Sequence, residues 1–201
     1  MKKAKIGVLV SGGGTNLQAL IDAQNSGIIT DGEIKVVISN KADAYALERA
    51  KKAGIDTEVV LKKDCVDFSE FEQKIIDTLT KYEIDIIVLA GFMSILSESF
   101  TSRYPERIIN VHPSLIPSFC GKGFYGLTVH EKALEYGVKV TGATVHFVNE
   151  IPDGGKIIMQ KAVEIKEGDT PEVLQKRVME QAEWIILPQS VQKVAKDIIS
   201  K

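Results

Sequence analysis

The stretch Ile6-Gly7-Val8-Leu9-Val10-Ser11-Gly12-Gly13-Gly14-Thr15-Asn16-Leu17 decides the fold. Ile6 to Val10 reads as a buried strand, the pattern left when helices cover both faces of a sheet. After the glycines, Leu17, Leu20 and Ile21 recur at helical spacing and Gly27 supplies the stop. A strand passing through glycines into a helix opens a parallel α/β sheet and makes an anion cradle, because backbone N–H groups close on an anion unobstructed by Cβ atoms. Gly13, Gly14, Thr15 and Asn16 form the candidate anion site. A merely tight turn is the alternative, although three glycines in a row cost backbone entropy that packing seldom requires. The Gly-Lys-Ser/Thr pattern of nucleoside triphosphate sites is missing. Leu17 and Ser39-Asn40 stand where a dinucleotide site wants a small residue and an acid, so a phosphomonoester fits best.

Outward from this unit the alternation continues. Strands are expected at Ile34 to Ser39, Thr57 to Leu61, Ile84 to Ala90 and Ile108 to Val111, with a helix from about Asp43 to Gly54. A second helix carries Phe68, Phe71, Ile75, Leu79 and Tyr82 on its core face. Gly121, Gly123 and Gly126 mark a loop or lid before a short helix near His130. Val138 to Val148 and Ile157 to Ile165 read as an antiparallel hairpin at one edge, joined by the turn-rich Asn149 to Gly155. Thr170-Pro171-Glu172 starts a last helical stretch, with a break expected at Pro188. The predicted fold class is α/β and Rossmann-like. A mostly parallel central sheet carries helices on both faces and an antiparallel hairpin near the C-terminal part. One domain over residues 1–201 is expected, with a phosphate-binding half of about 1–100 and a second half of about 101–201.

Bulk composition narrows the function class. A net charge of -2, with 44% hydrophobic and 26% charged residues, gives no basic footprint for nucleic acid and points to small-molecule substrates. Cys65 and Cys120 have no metal-like spacing, which suits the reducing cytoplasm. The apolar run after the basic N-terminus is too short for a signal segment or a bilayer span, so no membrane partner is expected. Monomer and homodimer both stay open.

Candidate chemistry sits in Asn110-Val111-His112-Pro113-Ser114-Leu115-Ile116-Pro117. Pro113 must end the strand, leaving His112 at its exit, where parallel sheets bind ligands. Asn110 lies two residues earlier on the same strand face. Asp153, from the Asn149 to Gly155 loop, would supply a carboxylate to the imidazole, and the amide would donate to a developing oxyanion, a set suited to acyl transfer. Asp-Gly-Gly is also a common plain turn, so spacing leaves the convergence open. The apolar Gly91-Phe92-Met93-Ser94-Ile95-Leu96 could wall a pocket for a flat ligand or be buried loop.

These motifs, with Gly142-Ala143-Thr144-Val145-His146-Phe147-Val148 and Asp153-Gly154-Gly155, resemble the folate-dependent formyltransferase family across essentially the whole chain. The glycine turn, Ser39-Asn40-Lys41 and Ala90-Gly91-Phe92-Met93 narrow the resemblance to the glycinamide ribonucleotide transformylase family. It implies a formyltransferase fold and formyl transfer from 10-formyltetrahydrofolate to the amine of glycinamide ribonucleotide, through a tetrahedral intermediate in purine biosynthesis, with no metal. It implies Asn110, His112 and Asp153 as the catalytic set. The phosphate would lie at Gly13, Gly14, Thr15 and Asn16, and Glu183 at the glycinamide end. The pterin would face Phe92, Met93, Ser94, Ile95 and Leu96 and the Phe147-Val148-Asn149-Glu150 loop.

The chain departs from the family pattern in places. Thr128 stands where many relatives carry a histidine, and Ser94 where a basic residue often follows the methionine. Trp184 follows Glu183 with one residue inserted before the pair, and a basic residue used near the folate tail is replaced around Phe68. A tRNA formyltransferase would be expected to add a C-terminal domain and a folate hydrolase an N-terminal one. A noncatalytic phosphate sensor and a metalloenzyme using His112, His130, His146 and Asp153 are the rivals from other classes.

Overall fold

The apolar runs become neighbours in one sheet. The computed structural model describes residues 2–200. Its strands are β1 (Ala4–Val10), β2 (Gly32–Ser39), β3 (Asp56–Val59), β4 (Ile86–Leu89), β5 (Ile108–His112), β6 (Val140–Phe147) and β7 (Ile157–Glu164). They lie in the order β3-β2-β1-β4-β5-β6-β7. Pairing is parallel from β3 to β5 and antiparallel from β5 through β6 to β7. The chain leaves β1 toward β2 and returns to place β4 on its other side, so β1 and β4 flank a switch point where a crevice opens at their carboxyl ends.

Helices cover both faces. On one lie α1 (Thr15–Asn25), α2 (Tyr45–Lys52), α6 (Pro171–Val178) and α7 (Trp184–Ile199), packing Leu17, Leu20, Leu47, Leu174, Leu187 and Val191 against Val8, Val37 and Val88. On the other lie α3 (Phe68–Lys81) and α4 (Glu98–Thr101), packing Phe71, Ile75, Leu79 and Phe100 against Leu9, Ile38 and Ile87. Burying side chains of this size contributes roughly 1.5–3 kcal/mol each. The α5 helix (Leu127–Tyr136) sets Leu134 against the first cluster.

Several expectations shift. Phe68 remains 38% exposed, since it opens α3 where the helix emerges from the loop. The segment after β4 turns into the unanticipated α4, whose N-terminus Ser97 caps by accepting from the Phe100 amide. The largest correction concerns the last helical stretch. Pro188 lies buried inside α7 without breaking it, and the irregularity is a π turn at Met179–Glu183. A residue inserted into an α-helix is absorbed by such widened i→i+5 bonding. The Ile116-Pro117 peptide bond is cis.

Candidate active site

Asn110 and His112 leave the carboxyl end of β5, and their cross-strand partners on β6 are His146 and Thr144. Asn110 Nδ2 lies 3.2 Å from His146 Nε2, and His146 Nδ1 donates to the Phe147 carbonyl at 2.8 Å. That tautomer leaves Nε2 free to accept from Asn110, which fixes the carboxamide and leaves its second N–H available. The pairing of β6 with β7 slips by one residue at His146, a bulge of the kind that re-aims a side chain beside a site.

Asp153 reaches the same place from the β6–β7 turn. Its carboxylate oxygens lie 3.6 Å from His112 Nδ1 and 3.5 Å from His146 Nε2, and one of them accepts from the Gly121 amide at 2.9 Å. Asp153 has φ 57°, a left-handed backbone that Asp and Asn tolerate best among residues with side chains. Two residues on, Gly155 is required by close approach, because an added Cβ would sit 1.7 Å from the Phe147 carbonyl oxygen.

Burial and charge compete here. Burial pushes the His112 imidazole below its ordinary value of 6.5, Asp153 and the Phe119 carbonyl pull upward, and burial wins. His112 is therefore uncharged at rest at neutral pH, a point that the sequence leaves open. Its Nε2–H donates to the Phe119 carbonyl at 2.8 Å, so Nδ1, facing Asp153, is the nitrogen that can take a proton. Burial works to raise the Asp153 carboxyl, but His146, His112 and the Gly121 amide outweigh it and hold the group below the usual carboxylate range. An ionised carboxylate thus stands ready beside an imidazole that gains charge on protonation.

Thr144 and Gln160 hold the loop that follows β5. Thr144 Oγ1 donates to the Ser114 carbonyl at 2.7 Å and accepts from the Ile116 amide at 3.0 Å, while Gln160 Nε2 donates to the Ile116 carbonyl.

The glycine turn lies across the crevice. Gly14 takes φ 73° and caps α1, and a Cβ there would meet Ala46 at 2.6 Å, whereas Cβ atoms at Gly12 and Gly13 would meet only open space. Arg49 Nε donates to the Gly13 carbonyl at 2.8 Å, adding a cation that the sequence reading missed. Thr15 is exposed, but the Asn16 amide is committed elsewhere, donating to Glu183 Oε2 at 2.9 Å. Glu183 ends the π turn, is 6% exposed, and burial pushes its carboxyl up while Asn16 opposes. The structure thus joins Asn16 to Glu183 and leaves Gly13, Gly14 and Thr15 for an anion.

The post-β4 segment divides. Met93 and Ile95 are 57% and 62% exposed, Phe92 packs against the α3 side, and Leu96 is core. Ser94 is buried and accepts from Asn40 Nδ2 at 3.1 Å. Ser11 Oγ accepts from the Met93 amide at 2.9 Å, tying this segment to the glycine turn. Val148 joins the α3 side, but Phe147 packs on the opposite face and is not brought to Phe92 and Met93. Asn149 Oδ1 accepts from the Ile151 amide, and Glu150 is exposed. Among the described residues no three His, Cys, Asp or Glu side chains are grouped to hold a metal ion, and His130 lies buried on α5 with both ring nitrogens unpartnered.

Residues 4–191 match the family model described as formyl transferase, the class that fold and site define. Within that class, the chain belongs to the phosphoribosylglycinamide formyltransferase family. It is 47% identical to phosphoribosylglycinamide formyltransferase of Haemophilus influenzae, over 92% of this chain and 84% of that one. It is also 47% identical to the human trifunctional purine biosynthetic protein adenosine-3 over 96% of this chain, which spans 18% of that protein's length. Among solved structures, glycinamide ribonucleotide transformylase 1 from Symbiobacterium toebii superposes with a TM-score of 0.90 at 42% identity, covering 97% of this chain and 89% of that one.

Proposed function

We propose that the protein transfers the formyl group of 10-formyltetrahydrofolate to the primary amine of glycinamide ribonucleotide. The observation that carries this reading is the convergence of Asn110, His112, His146 and Asp153 at the end of β5, with the glycine turn across the crevice. The ribose phosphate lies on the amides of Gly13, Gly14 and Thr15 with Arg49 behind them, and the buried Glu183, held by Asn16, receives the amine end. The exposed Met93 and Ile95, with Phe92 and Val148, give the flat ring of the folate an apolar wall. Glu150 and Asn149 border it.

The amine nitrogen bonds to the formyl carbon, and the carbonyl oxygen gains charge. The second N–H of Asn110 donates to that oxygen. His112 takes the proton lost by the amine at Nδ1, Asp153 stabilises the imidazolium so formed, and the proton passes to the departing folate nitrogen as the carbon–nitrogen bond breaks. Holding both reactants by their remote ends supplies much of the rate. The working unit is one domain over 1–201, with its phosphate-binding part in about 1–100 and its catalytic and folate part in about 101–201. One chain supplies every group named, so a monomer suffices. The free Cys65 and Cys120 suit a reducing cytoplasm, and no described helix is long and apolar enough to cross a membrane.

The test is purified protein with both substrates, following deformylated folate by absorbance. Turnover is expected, and His112→Asn should lower it by roughly 10²-fold or more with phosphate-end binding nearly intact. Absence of folate-dependent turnover in the wild type would overturn the reading.

A further inference from the structure

A cavity of about 480 Å³ lies between α1 and α7, and none of Asn110, His112, Asp153 and Glu183 lines it. Thr15 and Arg49 stand at the end where α1 begins, shared with the glycine turn. Ala19, Trp184, Ile185 and Pro188 form an apolar wall beyond them. Ile185 is exposed, so no other part of the described chain covers this wall, and a groove of this size with a few polar groups suits a small molecule.

A row of hydrogen bonds says which one. Arg49 Nη1 donates to Gln18 Oε1 at 3.0 Å, and Gln18 Nε2 donates to Asp22 Oδ1 at 2.8 Å. The row holds the Asp22 carboxylate at the groove and leaves Oδ2 as an acceptor. Among the described residues neither Arg49 nor Asp22 is in an ion pair, so the groove offers a cation at one end and an acceptor further along. From Thr15 to Asp22 is two helical turns, about 10 Å. That is the reach from the phosphate of a nucleotide to the pairing edge of its base. Of the common nucleobases only guanine carries two neighbouring donors on that edge, N1–H and the N2 amino group, whereas adenine places an acceptor there, which a carboxylate repels.

Resting on the proposed phosphate site at the glycine turn, we infer that the groove between α1 and α7 takes the base of a guanine nucleoside monophosphate, which thereby competes with glycinamide ribonucleotide. The nucleotide's phosphate occupies the glycine turn beside Arg49, its flat ring lies on the wall made by Ala19, Trp184 and Ile185, and Asp22 accepts from N1–H and the amino group. Both ligands need the same phosphate position, so the nucleotide raises the KM of glycinamide ribonucleotide and leaves kcat alone.

The experiment titrates GMP and AMP into the protein, following the fluorescence of Trp184, the chain's single tryptophan, and repeats the steady-state assay with each nucleotide present. GMP is expected to change the fluorescence saturably and to act as a competitive inhibitor against glycinamide ribonucleotide, with AMP about tenfold weaker in both readouts. Asp22→Asn alters an exposed position outside the reaction crevice, so kcat and the KM of glycinamide ribonucleotide should hold while the two nucleotides come within about twofold of each other. Equal binding of GMP and AMP by the wild type, no fluorescence change with either, or a full guanine preference kept by the variant would overturn the inference while leaving the activity standing. An absence of turnover would remove the proposed reaction alone, since the fluorescence titration decides the groove without it.

Discussion

His130 shows what a single buried side chain does to the whole. Its ring is fully enclosed on α5 with neither nitrogen hydrogen-bonded, and burial, with His112 nearby, lowers its pKa from 6.5 to about 4. The unfolded chain then takes up the proton first as pH falls. The contribution of this residue is complete above about pH 6.5 and is lost progressively down to about pH 4, a total of about 3 kcal/mol. His112 acts in the same direction. Urea unfolding at pH 7 and pH 5 should show wild-type stability falling, with His130→Leu removing about 2 kcal/mol of that fall; an unchanged pH dependence in the variant would refute the assignment. Glu183→Gln keeps the acceptor for Asn16 and removes a buried acid, so melting temperature should hold or rise while the KM of glycinamide ribonucleotide rises at least tenfold by steady-state kinetics.

At the scale of elements, the β6–β7 turn is the most demanding piece. Gly155→Ala must force the turn away from the end of β6, since the new methyl group would lie 1.7 Å from the Phe147 carbonyl oxygen, beside the bond from the Phe147 amide to the Lys156 carbonyl. A loss of about 3 kcal/mol or more is expected in denaturant unfolding, together with loss of turnover as Asp153 is displaced. The strands themselves were legible, because Ile6 to Val10, Val36 to Ile38 and Ile86 to Ala90 are short runs without a charged residue, bounded by turn signals, as strands buried on both faces require. His146 was not. Period two places it on a strand face, but which residue it meets depends on cross-strand register and on a bulge, neither of which a single strand's sequence encodes. The π turn was half visible: the residue inserted before Glu183 marked it, but Val178, Ala182 and Ile185 keep an ordinary helical spacing in the sequence, whereas the fold buries Ile186 and leaves Ile185 37% exposed.

For the whole molecule, the sheet acts as a partition. The residues proposed to hold the sugar phosphate lie on the side of α1 and α7 and those proposed to face the folate on the side of α3 and α4, so the two proposed sites would meet only where β5 ends. Each reactant should bind without the other. With an unreactive pair, glycinamide ribonucleotide and tetrahydrofolate, titration calorimetry should give dissociation constants that shift by less than about threefold when the partner is present. A strict requirement for one before the other would contradict the partition. The two-sidedness was half visible in the sequence. The glycine turn announced one side, whereas the other depends on which face of the sheet receives the helix after β3, and only the folded chain shows that.

The left-handed backbone at Asp153 has a consequence for variation. Glycine or asparagine would sit in that conformation with as little or less discomfort, and neither brings a buried charge that must be neutralised by its neighbours. A library randomised at this one codon should therefore yield different winners under different screens. Selection for heat resistance should enrich Gly and Asn, selection for growth on the reaction product's downstream need should return Asp alone, and the distance between those two outcomes measures how much robustness the molecule gives up to carry a negative charge at that corner.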